Sequence, residues 1–338
     1  MFIVETYAVA VLMCILTMFC WGSWANTQKL ASKEWKFQLF YWDYAIGVLL
    51  LTLLLALTMG SMGSQGRGFL ADLSQAEMSN IALALLGGVI FNFANILLVV
   101  AIDIAGMSVA FPIGIGLALV LGVMDNYRKA PDTYSAAPLF MGVAAVALAI
   151  IFNALAYRRL SKDQATTALG VVLSVLCGIF MGFFYGRVAS AMTKDFVSPE
   201  IGKLTPYTAL VFFSLGLLLS NFVFNTIAMK WTVSGERVAI SDYFNKGNTR
   251  LHLIGILGGA IWGVGMSFSI IAGGKAGYAI SYGLGQGATL VAAFWGVFIW
   301  REFKGAPEGT NKFLTLMFLF YIVGLALIIA GNRAVFGS

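Results

Sequence analysis

The residues of this chain that could do chemistry are polar and aromatic groups set inside long apolar runs. The densest group is Trp21-Gly22-Ser23-Trp24-Ala25-Asn26-Thr27-Gln28-Lys29. Trp21 and Trp24 stand three apart and so share a helix face. An indole face stacks on a flat ring or on the apolar face of a sugar. Asn26 adds an amide that both donates and accepts. The competing role for Trp24 is an aromatic belt at a membrane interface. Asn92 and Asn95 share the three-residue spacing, and their amides suit carbonyl and imide groups, or hydrogen bonds between helices. Tyr278, Tyr282 and Gln286 fall at i, i+4 and i+8, which predicts one polar aromatic stripe beside Gly283, Gly285 and Gly287. These eight residues are the candidate binding set, with tyrosine bonds to neighbouring helices as the plainer role for the stripe.

Asp43, in Tyr41-Trp42-Asp43-Tyr44, is the carboxylate that starts well inside an apolar run. It lies seven residues beyond Lys36, or about 10 Å along a helix. A carboxylate at that depth suits proton binding and release, which makes Asp43 the candidate coupling group. Pairing with Lys29 is its structural alternative. Lys29 and Arg187 are candidates for gating or an ion pair. His252, the single histidine, reads as interfacial, Asp103 as a turn residue, and Pro112 as a kink that exposes carbonyls. No HExxH, GxSxG or GxxxxGK[ST] motif occurs, and no paired catalytic groups stand out. Cys14, Cys20 and Cys177 lie in apolar runs, so neither a disulfide framework nor a metal site is expected. An enzyme is therefore disfavoured, and no cofactor is expected.

The elements that must position these groups are membrane spans. The chain of 338 residues is 60% hydrophobic and 11% charged, with a mean hydropathy of +0.88. A soluble domain carries about 25% charged residues. Runs of roughly 20 apolar residues predict ten spans, at 6–28, 38–60, 80–101, 106–124, 136–156, 167–190, 206–228, 252–272, 276–299 and 312–332. Asp103 and Lys275 each interrupt an apolar block too long for one crossing, so each block reads as a tight hairpin. The stretch from Lys230 to Arg250 has room for a surface helix at most. The first span lacks a basic leader and is too long for a signal peptide.

The net charge of +6 reads as topology rather than as affinity for nucleic acid. Of 21 Lys and Arg, 13 fall in odd-numbered loops: Lys29, Lys33, Lys36; Arg158, Arg159, Lys162; Lys230, Arg237, Lys246, Arg250; Arg301, Lys304, Lys312. This bias puts those loops in the cytoplasm and both termini outside an inner (plasma) membrane. The chain also matches itself. Residues 87–120 align with 258–291 without a gap, at an offset of 171, with ten identities in 34 positions. Two five-span halves follow, at 1–160 and 161–338. An odd number of spans per half inverts one half against the other, as in many secondary transporters. The expected fold is an all-α membrane protein of ten helices in two inverted repeats, carrying a small polar solute as a monomer or homodimer.

Several of these pieces resemble the ureide permease family of the drug/metabolite transporter superfamily. They are Gly22-Ser23-Trp24, Asp43-Tyr44, Gly87-Gly88-Val89, Asn95 and Gly106-Met107-Ser108-Val109. Near the end come Gly273-Gly274-Lys275-Ala276-Gly277-Tyr278-Ala279, Phe294-Trp295-Gly296-Val297 and Arg301-Glu302-Phe303. The resemblance spans nearly the whole chain. It implies ten spans and proton-coupled import of cyclic ureides and oxopyrimidines such as allantoin and uracil. The plant members' long central loop with its nucleotide-binding-like motif is missing, since only Tyr157 to Thr166 join spans five and six. ATP is therefore not carried over. The short scaffold looks bacterial. The glucose/ribose and rhamnose porters share the architecture, which makes a sugar the second expectation and a channel a remoter one.

Overall fold

The computed structural model describes residues 1–31, 34–160, 167–230 and 237–333. In chain order the helices are α1 (Tyr7–Ala31), α2 (Phe37–Leu57), the short α3 (Phe69–Gln75), α4 (Met78–Ala105), α5 (Met107–Lys129) and α6 (Ala136–Leu160). They continue as α7 (Ala168–Ala191), α8 (Pro206–Lys230), the short α9 (Ile240–Asn245), α10 (Thr249–Ala276), α11 (Tyr278–Ile299) and α12 (Thr310–Ala330). All but α3 and α9 are long and apolar enough to cross a membrane, which makes ten spans among the described residues. Helices satisfy their own backbone, as a bilayer core demands. The side chains of Leu54, Leu57, Phe222 and Ile322 are exposed on the perimeter, where lipid takes the place of water.

Local sequence sets the starts. Thr6 Oγ1 accepts from the Val9 amide at 3.3 Å, Thr167 Oγ1 from the Gly170 amide at 3.1 Å, and Asn248 Oδ1 from the Leu251 amide at 3.0 Å. Each satisfies an amide left free at a helix N-terminus. The two hairpins turn later than Asp103 and Lys275, which stay in the last turns of α4 and α10. The turns are Gly106 (φ 75°) and Gly277 (φ 82°), because positive φ is open chiefly to glycine. The expected surface helix between Lys230 and Arg250 is α9, and residues 231–236 lie outside the described residues, as do Lys33 and Lys162.

The offset of 171 runs through the architecture. It carries the start of α3 at Phe69 to the start of α9 at Ile240, and α4 onto α10, each 28 residues long. The packing is reciprocal as well. A methyl group on Gly88 of α4 would fall 1.9 Å from the Phe213 carbonyl oxygen of α8. One on Gly259 of α10 would fall 2.0 Å from the Tyr44 carbonyl oxygen of α2. Gly216 against Leu85 and Gly47 against Ile256 repeat the relation, both at 2.1 Å. Small residues thus bring α4 onto α8 and α10 onto α2 at backbone contact. The expected junction at 160/161 lies at the edge of the described residues.

Candidate functional site

The helices α5 and α11 are interrupted, and both interruptions line one cleft. Pro112 has no N–H to give, and residues Phe111–Ile115 of α5 widen into a π-type turn. α11 breaks at Gln286 and Gly287, between the helical segments Tyr278–Gly285 and Ala288–Phe294. At the repeat offset Ile115, the last residue of the π-type turn, corresponds to Gln286, the first of the break. Between them lies a cleft of about 180 Å³, lined also by the middles of α1, α4, α7 and α10.

The cleft is aromatic on several sides. Trp21 and Trp262 stack with ring centroids 5.8 Å apart and planes 12° apart. Phe91 meets Trp262 at 4.4 Å, and those two residues are equivalents at the offset of 171. Trp24, Phe111 and Phe184 complete the rings. The polar groups are few. Asn95 is 6% exposed and donates to the Tyr41 hydroxyl at 3.0 Å, and its carbonyl oxygen accepts no hydrogen bond among the described residues. Gln286 is 8% exposed, and its side-chain amide has no protein partner among the described residues. Thr289 Oγ1 donates to the Gln286 carbonyl at 2.8 Å and accepts from Tyr321 at 2.6 Å. No ionisable side chain lines the cleft among the described residues.

Of the candidate binding set, Trp21, Trp24, Asn95 and Gln286 converge here. The other four do not. Tyr282 is fully buried and donates to the Met181 carbonyl at 2.9 Å, pressed on Gly122. The i, i+4, i+8 stripe fails because the helix breaks at Gln286, which turns Gln286 into the cleft and leaves Tyr282 behind it. Tyr278 packs on Gly273 beside the Gly277 turn, with its hydroxyl buried and without a partner among the described residues. Asn92 holds α4 to α8, donating to Ser220 Oγ at 2.9 Å. Asn26 is half-buried and accepts from Trp300 Nε1 at 2.6 Å, tying the end of α1 to the end of α11.

Lys29 forms an ion pair, but with Glu302 at 2.7 Å. Arg187 is exposed and forms no ion pair among the described residues. The partner of Asp43 that sequence reading missed is His252, whose Nδ1 lies 3.0 Å from one carboxylate oxygen and 3.1 Å from the other. Trp35 Nε1 donates to the same carboxylate at 3.2 Å, and the Tyr243 hydroxyl of α9 donates to it as well. The carboxylate is wedged against Gly255 of α10. This cage joins α2, α9 and α10.

A vestibule of about 620 Å³ adjoins the cleft, sharing Trp24, Asn95 and Phe111 with it, and is rimmed by Gln28, Lys36, Gln38 and Asp103. It opens where α1 and α4 end and α2 and α5 begin. The opposite face is sealed. There the Tyr185 hydroxyl lies 2.9 Å from Ser269 Oγ and 3.1 Å from Ser281 Oγ, and Cys14 Sγ donates to Ser281 Oγ at 3.5 Å. Tyr134 seals the Gly277 turn by accepting from the Ala279 amide at 3.1 Å, and burial pushes its phenol up to about 12. A larger groove of about 970 Å³ lies against Phe222 and Phe244, both strongly exposed, and so opens on the perimeter away from the cleft.

Sequence reading also left Phe91, Phe184, Trp262 and Thr289 out of the binding set. The offset of 171 pairs Phe91 with Trp262, and this was the signal available for both.

Comparison with known proteins shows the family. The model of the ureide permease family matches residues 40–167 and 155–331. The chain is 24% identical to Ureide permease 1 of Arabidopsis thaliana, over 98% of this chain and 99% of that protein. It is 23% identical to a probable glucose uptake protein of Staphylococcus aureus, over 75% of this chain and 78% of that one. A crystal structure 14% identical in sequence matches with a TM-score of 0.60, over 96% of this chain and 98% of that chain, which shows a shared fold.

Proposed function

This chain belongs to the ureide permease family, and on that premise we propose that it imports a small neutral heterocycle, a cyclic ureide or a nucleobase, in symport with protons. The observation that carries the reading is the cleft itself: stacked indoles and uncharged amides at the meeting of two interrupted helices. Its 180 Å³ is well below the range of about 300–1,000 Å³ that drug-sized ligands use. A lining without charge disfavours ions. Aromatic faces hold a flat ring. The Gln286 amide and the Asn95 carbonyl oxygen offer the donor and acceptors that an imide or ureide edge needs.

Alternating access follows from the repeat. Residues 1–160 and 161–338 act as inverted halves that rock about the cleft, and the broken segments of α5 and α11 lie where such carriers bind substrate. The vestibule on one face and the seal on the other correspond to one of the two end states. With both termini outside the plasma membrane, the open face is cytoplasmic. Asp43 is the coupling group, with Lys29 and Glu302 as a gate at the same face. A sugar is the second reading, favoured by the similarity to the glucose uptake protein. Uptake into proteoliposomes under an imposed pH gradient separates them. Labelled uracil or allantoin should accumulate and glucose should not. Glucose accumulation without either heterocycle would move the chain to the sugar reading.

A further inference from the structure

Two short helices lie beside the ends of the long ones, α3 before α4 and α9 before α10. Each is fastened through a carboxylate to a helix from the other half of the chain. The fastenings differ. On α3, Asp72 accepts the Arg67 guanidinium at 2.7 Å, the Thr205 amide at 2.7 Å and the Thr205 hydroxyl at 3.0 Å, just ahead of α8. At the offset of 171 the position of Asp72 is Tyr243 of α9. Here the carboxylate comes instead from Asp43 of α2, and its nitrogen partner is an imidazole. A guanidinium keeps its charge throughout the physiological range, whereas an imidazole titrates within it.

We propose that Asp43 and His252 form a single proton-binding site whose occupancy controls the docking of α9 through Tyr243. This rests on the reading of the chain as a proton-coupled carrier with Asp43 at its coupling site, and it makes the proton-sensitive element a pair and a helix rather than one residue.

Access is built into the geometry. The His252 side chain is 29% exposed and that of Asp43 is 1% exposed, so water reaches the carboxylate by way of the imidazole. An ionised carboxylate only accepts, so His252 Nδ1 carries a hydrogen when it meets both oxygens. Proton uptake then runs in balance. The Nδ1 proton moves to a carboxylate oxygen, Nε2 takes one proton from water, and the pair gains one proton in all. Trp35 and Tyr243 are left donating to a neutral carboxyl and lose the charge assistance of their bonds. Trp35 is fully buried, while Tyr243 sits on a helix of six residues whose Phe244 is 75% exposed. Tyr243 is the contact free to part. Of the other charged groups nearby, Asp242 pairs with Lys246 at 3.0 Å on α9 and Glu34 with Arg250 at 3.3 Å at the rim, while Lys230 and Arg237 line the groove that Tyr243 also lines.

Because His252 is the chain's single histidine, protein made without a histidine tag gives an imidazole NMR signal that needs no assignment. Titration in nanodiscs between about pH 5 and 9 should show one step. Its midpoint should differ between the wild type and Asp43→Asn. Backbone hydrogen exchange of residues 240–246, corrected for intrinsic rates, should rise about tenfold across that step. Exchange should stay flat in Asp43→Asn and in His252→Gln. Tyr243→Phe, which leaves the pair in place, should show fast exchange at every pH. A midpoint unchanged by Asp43→Asn, or exchange indifferent to pH in the wild type, overturns the proposal. If both results hold and a pH gradient still drives no uptake of uracil or allantoin, the proton site stands and the symport reading falls. If uptake is pH-driven while the imidazole ignores residue 43, the symport reading stands and this site falls.

Discussion

At the scale of single residues, Gln286 lines the cleft while Tyr282 packs behind it. The Gln286 amide faces the cleft with no protein partner among the described residues, whereas the Tyr282 hydroxyl is bonded to the Met181 carbonyl. Gln286→Ala should therefore weaken substrate binding by ~1–3 kcal/mol, the loss for an unpaired buried partner. Tyr282→Phe should leave affinity unchanged and lower stability by about 1 kcal/mol. Calorimetry on the purified variants checks the first, and thermal unfolding checks the second. Equal affinity losses in both variants would return Tyr282 to the site. The sequence pointed to Trp21, Trp24, Asn95 and Gln286 because a polar or aromatic group in an apolar run needs a reason to be there. It could not tell cleft from helix contact for Asn92, Asn26, Tyr278 or Tyr282, because an amide or hydroxyl in an apolar run serves a ligand or a neighbouring helix equally well. The partner of Asp43 was hidden for a different reason. Asp43 and His252 are 209 residues apart, and only the packing of α10 on α2 at Gly255 and Gly259 brings them together.

At the scale of elements, the interrupted helices and the glycine turns carry the predictions. Gly277 has φ 82°, and an added methyl would fall 2.5 Å from the Tyr134 hydroxyl. Gly277→Ala should cost more than about 1 kcal/mol, read as a lower unfolding midpoint. The residue meets both a strained backbone and a steric block. Pro112→Ala restores an N–H to α5 and allows the turn at Phe111–Ile115 to close into regular helix. Transport rate should fall while the unfolding midpoint holds or rises. A variant with full transport would make the π-type turn incidental to the site. Element boundaries were legible from hydropathy to within a few residues, since a span must match a fixed bilayer thickness. The turns at Gly106 and Gly277 were placed too early, because charge marked the hairpins and backbone freedom decided them.

At the scale of the whole molecule, the repeat is legible as ten identities, and the structure extends the correspondence to helix lengths, turns and glycine contacts. Inverted orientation in the membrane is a matter of topology. An alkaline phosphatase fused to the C-terminus should be active in a bacterium, because the charge bias puts both termini outside. Activity from a cytoplasmic reporter at the same point would reverse the assignment and with it the side on which the vestibule opens. The central claim is that the uncharged aromatic cleft binds a neutral heterocycle. Calorimetric titration of the purified protein with uracil, allantoin and glucose tests it most directly, repeated with Gln286→Ala and Trp24→Ala. Saturable binding of uracil or allantoin, weakened in both variants, with no binding of glucose, is the result expected. Heterocycle binding that survives both substitutions, or binding of glucose alone, would contradict it.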